Sequence, residues 1–201
     1  GSDPVHASYR LYSAAGVDLS VLGNHDFDLG IQVLKHSIQN DAKFPILAAN
    51  LADCPALQGL YYPAALMVIK GIRIGIIGLA TSAEYKISKQ ESRIYNPIQT
   101  ALNILPAIKP LCDVVILLTH LGYSLSATSA ITAEAGDVEL AKALPYAGVH
   151  LIIGGHSHNE LNHQGLSPHN IVNGIPIVQA GSLGRYLGRV DVRIRQKSAA
   201  V

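Results

Sequence analysis

Three apolar runs, each ending in a cluster of polar, histidine-bearing residues, constrain this chain more than anything else in it. They are "VDLSVLGNHDFD" (17–28), "DVVILLTHLG" (113–122) and "VHLIIGGHSH" (149–158). Each run is too short for an ordinary helix and is apolar at successive positions. That pattern suits a strand covered on both faces. In layered domains of strands and helices, the carboxyl ends of such strands form the edge where sites assemble.

Segments between these runs read as alternating helices and strands. "IQVLKHSIQN" (31–40) has apolar residues at 31, 34 and 38, a helical spacing. "FPILAAN" (44–50) is a short strand. "LMVIKGIRIGIIGLAT" (66–81) is a pair of β-rich runs turning near Lys70 and Gly71. "NPIQTALNILPAIKP" (96–110) opens with Asn96 as a cap and Pro97 at the first helical position, with Pro106 expected to kink or shorten the helix. "GDVELAKALP" (136–145) is a helix with Asp137 near its start. "GIPIVQAGS" (174–182) and "GRVDVRI" (188–194) read as strands, and the Ser-, Thr- and Ala-rich stretch 122–136 as a surface loop. The order predicts an α/β or α+β layered domain.

The chain has 201 residues, 49% hydrophobic and 14% charged, which is the composition of one core-forming domain. A formal charge of +1 with no long basic run gives no electrostatic footprint for nucleic acid. No apolar run approaches the roughly 20 residues of a membrane-spanning helix. Cys54 and Cys112 form no paired motif. No disulfide framework is expected, and Cys112 reads as a small buried apolar residue.

Each polar cluster alone carries two readings. In an extended "GGHSH", His156 and His158 project to the same side, which suits two metal ligands; a surface turn with two incidental histidines is the other reading. His120 in "THLG" is a ligand or a hydrogen-bonded strand-end residue. In "GNHDFD", Asn24 can offer an amide oxygen and His25 can act as an acid, with Asp28 fixing its ring. The same letters also make a turn in which Asp26 or Asp28 caps the helix that follows. One amide oxygen and three imidazoles on three strand ends suit a borderline divalent metal such as Zn, Mn, Fe or Co.

"GNHDFD", "THLG" and "GGHSH", in that order, resemble the calcineurin-like metallophosphoesterases, in their 5'-nucleotidase and 2',3'-cyclic phosphodiesterase branch. "ILAANL" and "QAGSLGRYLGRVDV" resemble it too. The resemblance implies two mixed β-sheets packed face to face with helices outside, and a dinuclear metal centre. It implies Asn24, His120 and His156 as ligands of one metal and His158 as a ligand of the other. His25 and Asp28 then form the catalytic pair, and Asp26 stands where the family usually has Glu. The implied activity is hydrolysis of a phosphate ester, most simply a nucleotide, in a periplasmic or extracellular setting. Cyclic phosphodiesterase, nucleotide-sugar hydrolase and sulfur-ester hydrolase chemistry belong to the same family. A non-catalytic domain keeping part of a metal site is the alternative of another class.

The family pattern also has an Asp-x-His and a Gly-Asp ahead of the first motif, and a separate C-terminal nucleoside-binding domain. Neither upstream element occurs before Asn24, and Asp3 in "GSDP" lacks their context. The expectation is one partial catalytic domain over 1–201, without the C-terminal domain, that holds at most one metal, weakly. A sheet edge exposed in that way would favour a dimer or aggregation.

Overall fold

The computed structural model describes residues 7–81, 92–125, 135–146 and 148–194. Its frame is a six-stranded sheet in the order β4-β5-β7-β8-β10-β9, from β4 (Ala64–Ile69), β5 (Ile72–Ala80), β7 (Val114–His120), β8 (Leu151–Ile153), β9 (Ile171–Val172) and β10 (Ile175–Val178). Strands β5, β7, β8 and β10 are parallel, and the outer strands β4 and β9 run antiparallel to their neighbours. Two smaller sheets accompany it. β1 (Ser20–Val21) pairs in parallel with β2 (Ile46–Leu47), and β3 (Leu51–Ala52) pairs antiparallel with β6 (Arg93–Ile94). The chain is thus a mixed α/β structure with several sheets, as its element order implies.

The central strands behave as their apolar runs require. On β7, Val115 and Leu117 point into one core with Ile77, Leu79 and Ile152. Helices α3 (Pro97–Ile108) and α4 (Asp137–Ala143) close it through Leu105 and Leu140. Each such buried aliphatic side chain contributes roughly 1.5–3 kcal/mol. A second core lies over β1 and β2. There α2 (Ile31–Asp41) inserts Ile31, Leu34 and Ile38 against Leu22, Phe27 and Phe44. The two cores meet where Ala49 N–H donates to Gly78 O at 2.7 Å. A Cβ on Gly78 would stand 2.2 Å from that of Leu47, so only glycine permits this approach.

Several local readings hold. The β4–β5 hairpin turns on Lys70 and Gly71 with φ of 51° and 80°, the paired positive values of a twist-matched two-residue turn. Asn96 Oδ1 accepts from Ile98 N and Gln99 N at 3.0 and 3.1 Å, with Pro97 opening α3. That helix runs two residues past Pro106 before tightening into a 3₁₀ turn over Lys109–Leu111. Both cysteines are free, Cys54 buried and Cys112 half-buried against Gly75.

Other readings need correction. The segment 188–194 is not a strand. Its apolar positions Val190, Val192 and Ile194 stand exposed, and no ladder reaches it among the described residues. Alternation specifies a strand only where a neighbour completes its hydrogen bonds. The strand in 149–158 ends at Ile153, before Gly154 and Gly155 as the sequence implies, but the histidines beyond it sit on a tight turn and not in an extended stretch. Helix α1 (Ala7–Ala15) carries no clear periodic signal; it is held by Tyr9 stacked on Phe44, with ring centroids 6.3 Å apart. Most of the 122–136 stretch lies outside the described residues, but its flanks at Ser124, Ala135 and Gly136 are buried.

Candidate metal centre

The carboxyl ends of β1, β7 and β8 bring three donors together. Asn24 Oδ1 lies 3.1 Å from His120 Nε2 and 3.2 Å from His156 Nδ1. The rings of His120 and His156 stand 5.1 Å apart, tilted by 59°. Two glycines make room for this. A Cβ on Gly23 would fall 2.8 Å from the His120 ring, and one on Gly155 would fall 3.3 Å from its Nδ1.

The first turn is anchored from beneath. Asn24–Phe27 form one turn of 3₁₀ helix whose Phe27 is 2% exposed in the core. Asp26 ties this turn down from two sides. Its Oδ2 accepts from Gly23 N at 2.7 Å, and its Oδ1 from the hydroxyl of Tyr9 on α1 at 2.9 Å. Burial, then the charge of Asp26, pushes the Tyr9 phenol far above its ordinary value, so it stays a donor. Asp26 is therefore the residue that starts the turn. Asn24 is 2% exposed and cannot turn away to water.

His25 points outward from the same turn. Its Nδ1 lies 2.7 Å from Asp28 Oδ2, with the two side chains 72% and 32% exposed. A pair this accessible adds little stability. It does fix which ring nitrogen faces Asp28 and leaves Nε2 available.

The third element is a turn under backbone strain. His156 and His158 adopt φ of 76° and 59°, a region costly for side chains other than Gly, Asn and Asp. His158 is exposed and makes no hydrogen bond among the described residues. It does not join the three donors, although its charge bears on His120. Burial, and then the neighbouring His156, His25 and His158, hold the His120 imidazole down to about 4. It is neutral at physiological pH, the form that binds metals.

Behind the donors lies a polar layer that sequence reasoning missed. The Thr119 hydroxyl donates to Asp137 Oδ1 at 2.6 Å, and Asp137 Oδ2 is buried with no hydrogen-bond partner among the described residues. Burial pushes the Asp137 carboxyl up to about 8, against the opposing hydrogen bond from Thr119. A Cβ on Gly154 would fall 2.0 Å from that unpaired oxygen. Gln179, at the end of β10, reaches the strained turn itself. In sequence, Asp137 reads as a helix-start residue and Gln179 as a position within the strand 174–182, and neither pattern reveals a buried partner.

The chemistry of the donor set fits a divalent metal. Ligands about 2.1 Å from one ion stand roughly 3.0–3.4 Å from each other. The two recorded spacings from Asn24 Oδ1 fall in that range. Among the described residues no three His, Cys, Asp or Glu side chains converge, so the set is two imidazoles and an amide.

Residues 3–160 match the family model of the calcineurin-like phosphoesterases, a span that includes every donor just described. The chain belongs to that family. Calcineurin-like phosphoesterases are enzymes that use divalent metals. This calcineurin-like chain is 32% identical over 207 residues to the protein UshA of Salmonella pullorum and 32% over 205 residues to a 5'-nucleotidase of Vibrio cholerae. Both alignments take in 93% of this chain and 37% of the relative, so the chain spans little more than a third of those proteins. A 5'-nucleotidase precursor from Thermus thermophilus superposes with a TM-score of 0.68 at 28% identity, over 87% of this chain and 35% of that one. A 5'-nucleotidase from Staphylococcus aureus gives 0.70 at 19% identity, over 87% and 34%, and speaks for the fold alone.

Proposed function

We propose that residues 1–201 form one partial catalytic domain of a metal-dependent phosphoester hydrolase of the 5'-nucleotidase type. The observation that carries this reading is the meeting of Asn24, His120 and His156 from strand ends 96 and 132 residues apart in sequence. The similarity to 5'-nucleotidases supports a nucleotide as the substrate. A periplasmic or extracellular setting accords with the 5'-nucleotidase precursor among the solved relatives. Among the described residues no helix is long and apolar enough to cross a membrane.

In this reading Asn24, His120 and His156 would hold one divalent metal, weakly, and this chain holds no more than that one; His158 would be a ligand of the second metal only in the dinuclear centre of the complete protein, which the family resemblance implies. The metal supplies charge to neutralise phosphate oxygens and to activate water. His25 is the acid. Asp28 accepts the Nδ1 proton and leaves Nε2 to carry a proton toward the leaving oxygen. The neutral donor set accounts for the weak binding, since no carboxylate or thiolate adds charge to it.

The test uses the full-length protein supplied with Mn²⁺, assayed on 5'-AMP and on a chromogenic phosphate monoester. His25→Ala should lower kcat by about 10²–10⁴. Asn24→Ala should instead weaken Mn²⁺ binding, seen as a shift of the Mn²⁺ dependence. Absence of hydrolysis with metal bound would leave a binding domain as the better reading.

A further inference from the structure

The turn that carries His156 and His158 is strained at two residues and has no apolar side chain to anchor it in the core. Backbone bonds tie each end separately, from Gly122 N to Gly155 O at 3.0 Å and from Gly181 N to Asn159 O at 2.9 Å, and one side chain joins the two ends to each other. Gln179 is 4% exposed and spans the turn from end to end. Its Nε2 donates to Gly155 O at 3.0 Å, one residue before His156. Its Oε1 accepts from Asn159 N at 2.6 Å, one residue after His158. The partners fix the amide orientation, because a carbonyl needs the NH₂ and an N–H needs the oxygen. Ser157 works from the middle. Its hydroxyl accepts from Tyr123 N at 2.8 Å and donates to Asn159 Oδ1 at 2.5 Å.

We propose that Gln179 is a positioning residue for the metal centre: its buried amide clamps both ends of the Gly155–Asn159 turn and so holds the His156 and His158 side chains in place against their strained backbone. A left-handed residue costs on the order of 1–3 kcal/mol and persists only where its surroundings over-determine it. Two such residues among the three positions enclosed by one clamp meet that condition. No other side-chain type of this size fits. Glutamate would keep the acceptor for Asn159 N but set an oxygen against Gly155 O. Leucine would leave the Asn159 N–H without its side-chain acceptor and remove the link to Gly155 O, which would keep only its bonds from Gly122 N and Ser157 N.

The inference rests on the metal reading for its affinity arm and stands apart from it in the metal-free chain. Isothermal titration with Co²⁺ compares the unsubstituted protein with Gln179→Ala and Gln179→Glu. Both should bind at least tenfold more weakly, the usual effect of removing a group that orients a ligand. Ile177→Val, which trims a fully buried neighbour on the same strand, should lower Tm and leave Co²⁺ affinity unchanged. Affinity within twofold of the unsubstituted protein in both Gln179 variants overturns the proposal. If the unsubstituted protein takes up no Co²⁺, the metal reading fails, and amide hydrogen exchange then decides the clamp. The Asn159 amide should be protected like those of β10, which needs no variant to fold. An unprotected Asn159 amide overturns the proposal on its own.

Discussion

The two histidine-bearing turns of this centre are held in opposite ways. Asn24–Phe27 keeps ordinary backbone angles and hangs from the core by Phe27. Gly155–Asn159 has two left-handed histidines, no core anchor, and a buried amide bridging its ends. The first turn places Asn24 by apolar burial. The second places His156 by hydrogen bonds that offset strain. Burial is non-directional and tolerant, whereas a hydrogen-bonded clamp fails as soon as one partner is lost. The two turns should therefore respond to different perturbations.

The largest effect should come from emptying the first anchor. Phe27→Ala removes a fully buried ring and should cost about 3–5 kcal/mol of stability, read from urea unfolding. Because the ring lies directly beneath Asn24, Co²⁺ binding should weaken with it. A loss below about 1 kcal/mol would mean that the turn is held by Asp26 and Tyr9 instead.

Next in size is a pH effect confined to the layer behind the second turn. In the unfolded chain the Asp137 carboxyl ionises near 3.9, and in the fold near about 8. Below pH 4 both states are protonated and the full stability is present. As pH rises from about 4 to about 8, the unfolded state ionises first, so stability falls, and it levels off above about 8. Urea midpoints across that window should show the decline, and Asp137→Asn should flatten it. A decline unchanged in Asp137→Asn would place its source elsewhere.

The sequence made the core of this comparison legible and hid its second half. Apolar runs such as "DVVILL" specify buried parallel strands because only a strand covered on both faces is apolar at every position. Their polar ends bring Asn24, His120 and His156 together at the carboxyl ends of strands from two sheets, β1 from the small one and β7 and β8 from the large one. The conformation of "GGHSHN" was not readable, since a positive φ at histidine is imposed by tertiary contacts and leaves no local signature. Gln179 was invisible for the same reason: its partners lie 20 to 24 residues away in sequence. The segment 188–194 shows the converse error. It has a strand's alternation, but a strand exists only with its neighbour, and alternation says nothing of that neighbour.

The smallest effect separates strain from ligation at the second turn. Asparagine visits the left-handed region more readily than histidine does, because its short polar side chain can bond locally. His158 is exposed and makes no hydrogen bond among the described residues, so His158→Asn removes little packing. In the metal-free chain this substitution should raise stability by a few tenths of a kcal/mol, at most about 1. Phe27 offers no such substitution, since nothing at the first turn is strained. Measured at a pH where the histidines are neutral, so that no repulsion with His120 is relieved, a gain in stability comes from backbone relief, and it would mean the turn retains histidine there at a cost to folding. A neutral or destabilising result in urea melts would show that the 59° angle at His158 is relaxed, leaving His156 as the single strained residue within the Gln179 clamp.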